Sequence, residues 1–470
     1  MTLQELMPRC IASTEKIFSD HTISATTPDG DTNCFRLAQL SPDGTSIVTY
    51  SEDQRLRTFV LPTTLLDSHG DDPHQLEPYS TSRPFSSHSF VLYPGFNLQD
   101  PRTTLVLQSR ADVPIRLTNA LDLNYSHASY PLINPTTEAF ICPHSLTFTR
   151  DCERFVAGAK ETIAVFDISR DGQGPVSTFA TRSGRKARKS YGEAEIGLSG
   201  LVTAMDISGP TTALAAGSTG AQVAIYDLAG SGEKITSFSL ETDCTGVSQV
   251  KWDGTGNYLF VAGRQSNSLS VYNMRSGRRQ CLLTGRFAKT TQRMGFQLVQ
   301  TMYGCDVWAG GTDGNLRIWK NVLSKEGSFD ATETLPIHAD AVSNIMVHDS
   351  GSVFLTTCGQ RNEVWPLDKD GSENGDPTGH ASEACLKALA TQINEHVHLL
   401  HVHYRATGFM SALVNGLYVD SEKSPGDRSR GRSRTKGRRG YMVTRMGASD
   451  KEQLSRTPAG CAELEPHKRS

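Results

Sequence analysis

Residues 35–59, FRLAQLSPDGTSIVTYSEDQRLRTF, contain three short runs in which apolar residues alternate with polar ones. Alternation with a period of two is typical of β-strands that are buried on one face. Turn-forming residues separate the runs, and Ser41-Pro42-Asp43-Gly44 stands between the first two. The stretch therefore predicts three consecutive strands joined by polar turns.

The last of these runs recurs along the chain, and each copy ends in an aromatic residue or its substitute. Successive copies are 59, 48, 60, 46, 47 and 46 residues apart. A period in the forties with alternating apolar positions is typical of a WD-repeat propeller, whose four-stranded blades bury their faces by stacking. Because sandwich strands show no blade-length repeat, the sequence predicts an all-β, seven-bladed WD-repeat β-propeller. The seven end residues are Phe59, Thr118, Phe166, Tyr226, Tyr272, Trp319 and Trp365.

Length and composition predict one ring with a tail of different character. The chain has 470 residues, 37% hydrophobic and 21% charged, and one ring would use about 370 of them. No run of about 18 apolar residues is present, so no membrane span is predicted. The start, MTLQELMPRC, lacks the order of a secretory signal, which predicts a reducing environment inside the cell.

The ten cysteines include none in a Cys-x-x-Cys pair, and Cys34, Cys244 and Cys358 lie in strand-like contexts. We expect them to be small buried apolar residues rather than disulfide or zinc ligands. Of four histidines in a predicted strand, the first two point to one face and the last two to the other, so they do not converge. The sequence thus predicts no metal site and no cofactor. These histidines are His396, His398, His401 and His403.

Positive charge is concentrated in two segments. Residues 428–439, RSRGRSRTKGRR, carry seven positive charges and no negative one, so the overall charge of −3 leaves the rest of the chain at −10. Such a composition predicts a disordered tail that can neutralise phosphates, while a solvated linker or a nuclear-import signal stays open. The tail cations are Arg428, Arg430, Arg432, Arg434, Lys436, Arg438 and Arg439. The second segment, between blades three and four, contains Arg182, Arg185, Lys186, Arg188 and Lys189.

Further arginines follow the second strand of several predicted blades. In a propeller, the loops after the second strand and the loops between blades emerge on one face, so these side chains are expected near one rim. A guanidinium binds phosphate and stacks on an unpaired base, which predicts an RNA surface there, although acidic residues lie among the arginines. The arginines after second strands are Arg55, Arg110, Arg264 and Arg361, Arg293 stands at the entrance to blade six, and the acids are Glu52, Asp53, Asp112 and Glu363.

The chain resembles the telomerase Cajal body protein family of WD-repeat proteins, including its diverged fungal members linked to pre-mRNA splicing. The resemblance lies in seven stretches that occur in family order. They are NCFRLAQLSPDGTSIVTYSEDQRLRTFVLP (33–62), SRADVPIRL (109–117), HSLTF (144–148), STFATRSGRK (177–186), AGRQSNSLSVYNMRSG (262–277), TTQRMGF (290–296) and TTCGQR (356–361).

This resemblance implies a non-catalytic nuclear protein that binds a short single-stranded box in small guide RNAs and helps to place their particles. The implied partners are small nuclear or guide RNA and its ribonucleoprotein proteins. The chain departs from the family pattern where Thr118 replaces a tryptophan and Lys320 replaces an aspartate. The implied loop-face contacts are Arg110, Arg264, Gln292, Arg293, Gln360 and Arg361.

Motifs typical of enzymes are missing from the sequence: it has no phosphate-binding loop, dinucleotide-binding loop, zincin motif or nucleophile elbow. We therefore expect no catalysis, no small-molecule substrate and no membrane partner, and a monomer. The alternative function is a general scaffold that binds proteins on the same face without RNA. An acidic rim poor in aromatic residues favours the scaffold, whereas arginine beside accessible aromatic rings favours RNA.

The predicted domains are an N-terminal extension over residues 1–18, the propeller over 19–404 and a disordered basic tail over 405–470. The tail is either lineage-specific or a mispredicted final exon. An N-terminal strand near Thr22–Thr26 is expected to complete the last blade and close the ring, since closure leaves no free sheet edge.

Two placements of the third strand in the last blade stay open. By spacing, the strand ends at Trp365. By resemblance, an insertion at about 362–395 comes first, and HVHLLHVHY at 396–404 supplies the strand.

Overall fold

The computed structural model describes residues 8–14, 33–66, 72–182, 197–228, 232–360 and 385–390. These residues form thirty β-strands and one short 3-10 helix, Val322–Ser324, within the compact unit Met1–Val419. Among them, no helix is long and apolar enough to cross a membrane. The strands make seven sheets arranged as the blades of a β-propeller, so the predicted fold is confirmed.

The strands are numbered along the chain. The first fourteen are β1 (Arg9–Ser13), β2 (Phe35–Leu40), β3 (Ser46–Ser51), β4 (Leu56–Val60), β5 (His74–Gln75), β6 (Pro78–Thr81), β7 (Phe90–Leu92), β8 (Leu105–Gln108), β9 (Ile115–Asn119), β10 (Asp122–Tyr130), β11 (Ser145–Phe148), β12 (Arg154–Ala159), β13 (Thr162–Asp167) and β14 (Ser177–Ala180). The next sixteen are β15 (Val202–Ile207), β16 (Ala213–Ser218), β17 (Gln222–Asp227), β18 (Lys234–Ser239), β19 (Val247–Trp252), β20 (Tyr258–Gly263), β21 (Leu269–Asn273), β22 (Arg278–Thr284), β23 (Phe296–Thr301), β24 (Gly304–Gly310), β25 (Asn315–Trp319), β26 (Gly327–Asp330), β27 (Glu333–Pro336), β28 (Val342–Val347), β29 (Val353–Cys358) and β30 (Leu386–Ala390).

Each blade is a four-stranded antiparallel sheet with its strands in chain order, apart from the last blade. Blades 1 to 6 are β2-β3-β4-β6, β7-β8-β9-β10, β11-β12-β13-β14, β15-β16-β17-β18, β19-β20-β21-β22 and β23-β24-β25-β27. Blade 7 is β28-β29-β30-β1. The short strands β5 and β26 add parallel edges to blades 7 and 5.

The repeated aromatic positions are buried between blades. Phe166 of β13 lies opposite Phe155 of β12, and the two rings stack with centroids 4.8 Å apart. Tyr130 of blade 2 meets both rings edge-on. Aromatic contacts of this kind add stability beyond that of the buried area, so they stabilise the packing of neighbouring blades. Phe59, Thr118 and Trp319 are likewise almost inaccessible to solvent.

Amide side chains join some innermost strands across the blade boundary. Gln249 of β19 donates through Nε2 to the carbonyl of Phe296 (3.1 Å) and accepts at Oε1 from the Phe296 N–H (2.9 Å). Gln39 of β2 donates to Phe90 and accepts from Leu92 in the same way. These bonds satisfy backbone groups on the free edge of an innermost strand.

The strand that closes the ring is β1, which pairs antiparallel with β30 from Arg9↔Ala390 to Ser13↔Lys387. An N-terminal strand does complete blade 7, but it is β1 and not the predicted segment near Thr22–Thr26, which lies outside the described residues. β1 precedes residue 19, at which the sequence placed the start of the propeller. Because loop-closure entropy rises slowly with length, a long connection to β2 costs little and leaves no short-range signal.

The third strand of blade 7 is β30, so neither predicted placement holds. Trp365 and residues 396–404 both lie outside the described residues, as does the predicted boundary at 404, which stays a prediction. The β30 sequence, LKALA, is not a strong strand former, but Leu386, Ala388 and Leu389 are buried between β29 and β1. Burial against both neighbours outweighs the weak intrinsic preference.

Candidate functional site

Two sets of loops, those after the second strand of each blade and those between blades, emerge at the same end of the blades, because antiparallel strands alternate in direction. Backbone hydrogen bonds join the sets, as from the Phe85 N–H to the Gln54 carbonyl (2.8 Å) and from the Thr312 N–H to the Phe287 carbonyl (2.8 Å). We call this surface the loop face. It comprises the loops after the second strands (residues 52–55, 109–114, 160–161, 219–221, 264–268, 311–314 and 359–360) and the described parts of the loops between blades (14, 33–34, 82–89, 131–144, 181–182, 197–201, 240–246, 285–295 and 337–341).

The loops after the second strands share one backbone feature. In each of blades 1 to 6, one residue has a positive φ between 50° and 74°. Five of the six are not glycine, although the left-handed region costs other residues roughly 1 kcal/mol. The loops after the second strands therefore share a turn conformation from blade to blade. These residues are Gln54, Asp112, Glu161, Ala221, Gln265 and Gly314.

Arg110 lies against an aromatic ring on the loop face. Its guanidinium carbon is 3.9 Å from the centroid of Phe85, and its Nε donates to Gln108 Oε1 at 3.2 Å. Gln108 is itself held by a 2.7 Å bond to Thr118, the residue that replaces the family's tryptophan. Burial, with the charge of Arg116, lowers the pKa of Arg110 to about 10, so it stays cationic at neutral pH. The structure thus provides a positioned, charged plane.

Arg264 is exposed at the same end of blade 5. Its backbone N–H donates to Gly246 at 2.7 Å, and its carbonyl accepts from Thr245 at 3.0 Å. Its side chain has no hydrogen bond or ion pair with any residue that the structure describes. The loop backbone is therefore held in place while the guanidinium is available to a ligand.

Gln292, Arg293 and Gln360 come together where blades 6 and 7 meet. The side chain of Gln292 donates to the Gly359 carbonyl at 2.8 Å, and Asp340 accepts from the Gln360 N–H at 3.1 Å. Arg293 is partly buried, which lowers its pKa. Within the described part of the chain its guanidinium has no hydrogen bond or ion pair.

Arg182 differs from these arginines because it is paired. Its Nη1 lies 3.1 Å from Glu161 Oε1, and both side chains are exposed. An exposed pair contributes little stability but cancels charge. The remaining predicted contacts, Arg361, the four cations between residues 185 and 189, and the tail cations between 428 and 439, lie outside the described residues and stay predictions.

Several acids on the loop face are also paired. Asp53 accepts from Arg57 of β4, and Asp313 accepts from Arg317 of β25 at 2.6 and 2.9 Å. Burial alone would raise the pKa of Asp313, but hydrogen bonds from Arg317 and Asn315 outweigh it and hold the pKa below its usual value. Asp53, an acid that the sequence places among the arginines, and Asp313 are thereby neutralised.

Phe85 and Phe287 were not predicted as site residues. Phe287 is 54% exposed, and the guanidinium of Arg317 lies 4.7 Å from its centroid. The preceding Arg286 is buried and donates to the carbonyls of Gly310 and Gly295 at 3.1 and 3.0 Å. Both phenylalanines lie in loops with no periodicity, so only an aromatic next to arginine could have indicated them.

A pair of histidines stacks on the loop face between blades 2 and 3, with ring centroids of His88 and His144 4.1 Å apart. Burial, with the neighbouring His88, lowers the pKa of His144 to about 4. Burial and then Arg36 lower the pKa of His88. Both rings are therefore neutral at pH 7.

This pair makes stability dependent on pH. Between pH 6.5 and about 4 the unfolded chain protonates these histidines while the folded chain does not, so stability falls as pH falls through that window. We expect His144→Gln to reduce the loss of melting temperature between pH 7.5 and 5. Ser86→Ala, an exposed position in the same loop as His88 that has no titratable side chain, is the control and should keep the wild-type pH profile. Equal profiles for wild type and His144→Gln would contradict the assignment.

Comparisons with known proteins agree with the fold. Guanine nucleotide-binding protein negative regulator 1 of Schizosaccharomyces pombe is 29% identical over 361 residues, which cover 75% of this chain and 85% of that protein. Telomerase Cajal body protein 1 of Homo sapiens is 25% identical over 375 residues, 78% of this chain and 62% of that protein. Protein SWT21 of Zygosaccharomyces rouxii is 28% identical over 160 residues, 32% of this chain and 35% of that protein.

No family model matches the chain. The chain spans less than two thirds of the human relative, so the whole activity of that protein is not assigned to this chain. The similarity nevertheless extends over most of the described propeller in several relatives. The resemblance found in the sequence is therefore confirmed: this chain is a diverged relative of the telomerase Cajal body proteins.

Proposed function

We propose that this chain is a non-catalytic, monomeric, nuclear protein that binds single-stranded RNA on its loop face. It acts in the biogenesis or localisation of small nuclear or guide ribonucleoproteins. The observation that carries the proposal is the combination, on one face, of available guanidinium groups and accessible aromatic rings. The name of the human relative links that protein to telomerase and Cajal bodies, and supports extending a ribonucleoprotein role to this chain.

Two guanidinium groups on the loop face are available to an anion. Arg264 and Arg293 have no side-chain partner among the described residues, whereas Asp53 and Asp313 are each paired with an arginine. The desolvation that lowers the pKa of Arg293 would be offset by a bound phosphate. An incoming phosphate would therefore gain new contacts without displacing an internal ion pair.

The rings favour unpaired bases. Single-stranded RNA is recognised largely by stacking of splayed bases on aromatic rings or on arginine planes. Phe287 exposes about half of its surface, and the guanidinium carbon of Arg110 lies 3.9 Å from the centroid of Phe85. Phe287 lies in the same loop as Arg293, and the Arg110–Phe85 contact lies on the same face at blade 2.

Crosslinking and sequencing of RNA bound to the tagged full chain in its own cells tests this proposal. We expect a few small nuclear or guide RNAs to dominate, and the triple change Arg110→Ala, Arg264→Ala and Arg293→Ala to reduce them at least about tenfold. The matched control changes Arg170, Arg275 and Arg278 to alanine. These three arginines are exposed at the opposite end of blades 3 and 5, and their removal alters net charge equally.

A salt titration in vitro distinguishes direct binding of RNA by this chain from recovery of RNA through another protein. For a single-stranded oligonucleotide, the slope of log affinity against log salt should become shallower by about 0.7 for each phosphate that is no longer neutralised. Arg264→Ala should show this change and Arg278→Ala should not. Background RNA alone, equal in wild type and triple variant while both remain folded, would make the chain a protein-binding scaffold.

A further inference from the structure

Three side chains with metal-binding atoms converge in blade 7. They come from separate elements: His338 from the loop before β28, Cys358 from the end of β29 and Cys385 from the residue before β30. The two Sγ atoms are 3.3 Å apart, and Cys385 Sγ lies 3.7 Å from His338 Nδ1. All three candidate ligand atoms lie within 4.8 Å of one another.

Strand pairing brings the two cysteines together. In the β29–β30 register Thr357 is opposite Leu386, so the next positions along each strand, Cys358 and Cys385, also face each other. The Cys358 N–H donates to the Cys385 carbonyl at 2.9 Å, and both residues are buried. The spacing of the two sulfur atoms therefore follows from a regular backbone ladder.

The orientation of His338 is fixed by its second ring nitrogen. Nε2 lies 2.8 Å from the hydroxyl oxygen of Thr356, which is fully buried on β29. Histidines that bind metals usually use one nitrogen for the ion and hold the other in a hydrogen bond of this kind. Nδ1 is thereby left facing the sulfur atoms.

We propose that His338 Nδ1, Cys358 Sγ and Cys385 Sγ bind a zinc ion, with water as the fourth ligand. Zinc favours tetrahedral sites with thiolate at about 2.3 Å and imidazole nitrogen at about 2.0–2.1 Å, which places ligand atoms roughly 3.5–3.8 Å apart. The observed 3.3 and 3.7 Å are close to that spacing, and Cys358 Sγ lies within 4.8 Å of His338 Nδ1. Binding releases the two thiol protons to solvent, so the ion replaces them.

The site lies where the ring is closed. Leu386, next to Cys385, donates its N–H to Thr14 Oγ1 at 3.0 Å and accepts from the Thr14 N–H at 3.0 Å. An ion that joins β29 to β30 would therefore hold the strand on which β1 docks. The inference rests on the fold and does not depend on RNA binding.

Metal analysis of the full chain, purified without a metal-affinity resin, tests the proposal. We expect about one zinc per chain in the wild type and loss of most of it in Cys385→Ser. Cys305→Ser is the matched control, because Cys305 is equally buried but lies in blade 6. Cys385→His keeps a ligand at this position and should retain more zinc than Cys385→Ser.

A second measurement uses the wild type alone, so it is informative even if a variant fails to fold. Cobalt(II) added to the metal-stripped chain should produce thiolate-to-metal charge-transfer absorption and a tetrahedral visible band, and a chelator should lower the melting temperature. Wild-type protein without zinc or cobalt absorption would overturn the proposal. So would an intact mass lower by two hydrogens with Cys358 and Cys385 joined in one peptide, since that is a disulfide.

Discussion

Deletion of residues 1–14 is expected to lower the free energy of unfolding by about 5 kcal/mol or more, because it removes the strand that closes the ring. β1 pairs with β30 at four positions and buries Ile11 and Ala12. Removal of each backbone hydrogen bond costs about 1 kcal/mol, and exposure of the isoleucine site about 1.5–3 kcal/mol. Denaturant unfolding of both proteins measures the difference.

Deletion of residues 1–7 is the control, since it leaves β1 in place. It should unfold at the wild-type denaturant concentration. Closure of the ring by β1 would be refuted by a chain lacking residues 1–14 that is as stable as the one lacking only 1–7.

The second large effect is expected from Trp319→Ala in blade 6. Trp319 is fully buried, packs in the core shared by blades 5 and 6, and donates through Nε1 to the Thr284 carbonyl at 3.2 Å. Truncation of a buried tryptophan leaves a cavity and costs about 3–5 kcal/mol. Thermal and denaturant unfolding measure the decrease.

An exposed aromatic of the same blade provides the comparison. Tyr303 is 67% exposed in the turn between β23 and β24, so Tyr303→Ala should change stability by less than about 0.5 kcal/mol. Trp319→Phe should lie between the two, because it keeps most of the apolar packing but removes the hydrogen bond. Similar destabilisation by Trp319→Ala and Tyr303→Ala would contradict this account of the core.

The order of strands and loops along the chain was enough to predict where several arginines lie. Arg110, Arg264 and Arg293 were placed on one face from their order relative to strands, and the structure has them in loops of that face. Their binding of RNA stays a proposal. Arg182 was predicted to be an available cation of the same kind. It is paired with Glu161, which lies in another loop, so the pairing depends on contact between the two loops.

No comparable sequence pattern indicated the exposed aromatic rings or the cysteine pair. Phe287 contacts Arg317, thirty positions away, and Cys358 contacts Cys385, 27 positions away. Neither contact follows from a local period. Short-range patterns are insensitive to such pairs, since strand register and loop packing bring them together.

The sequence by itself determined the number of blades, the alternation of buried positions and the face on which the arginine loops lie. These properties follow from a period of two within strands and a period in the forties between blades. Both periods can be read directly from the amino-acid sequence. Only the tertiary structure decided that β1 and β30 close the ring, which acids are neutralised, and that His338 meets two cysteines. Those outcomes depend on burial and on pairing between distant segments, where the gain from contact outweighs weak local preference.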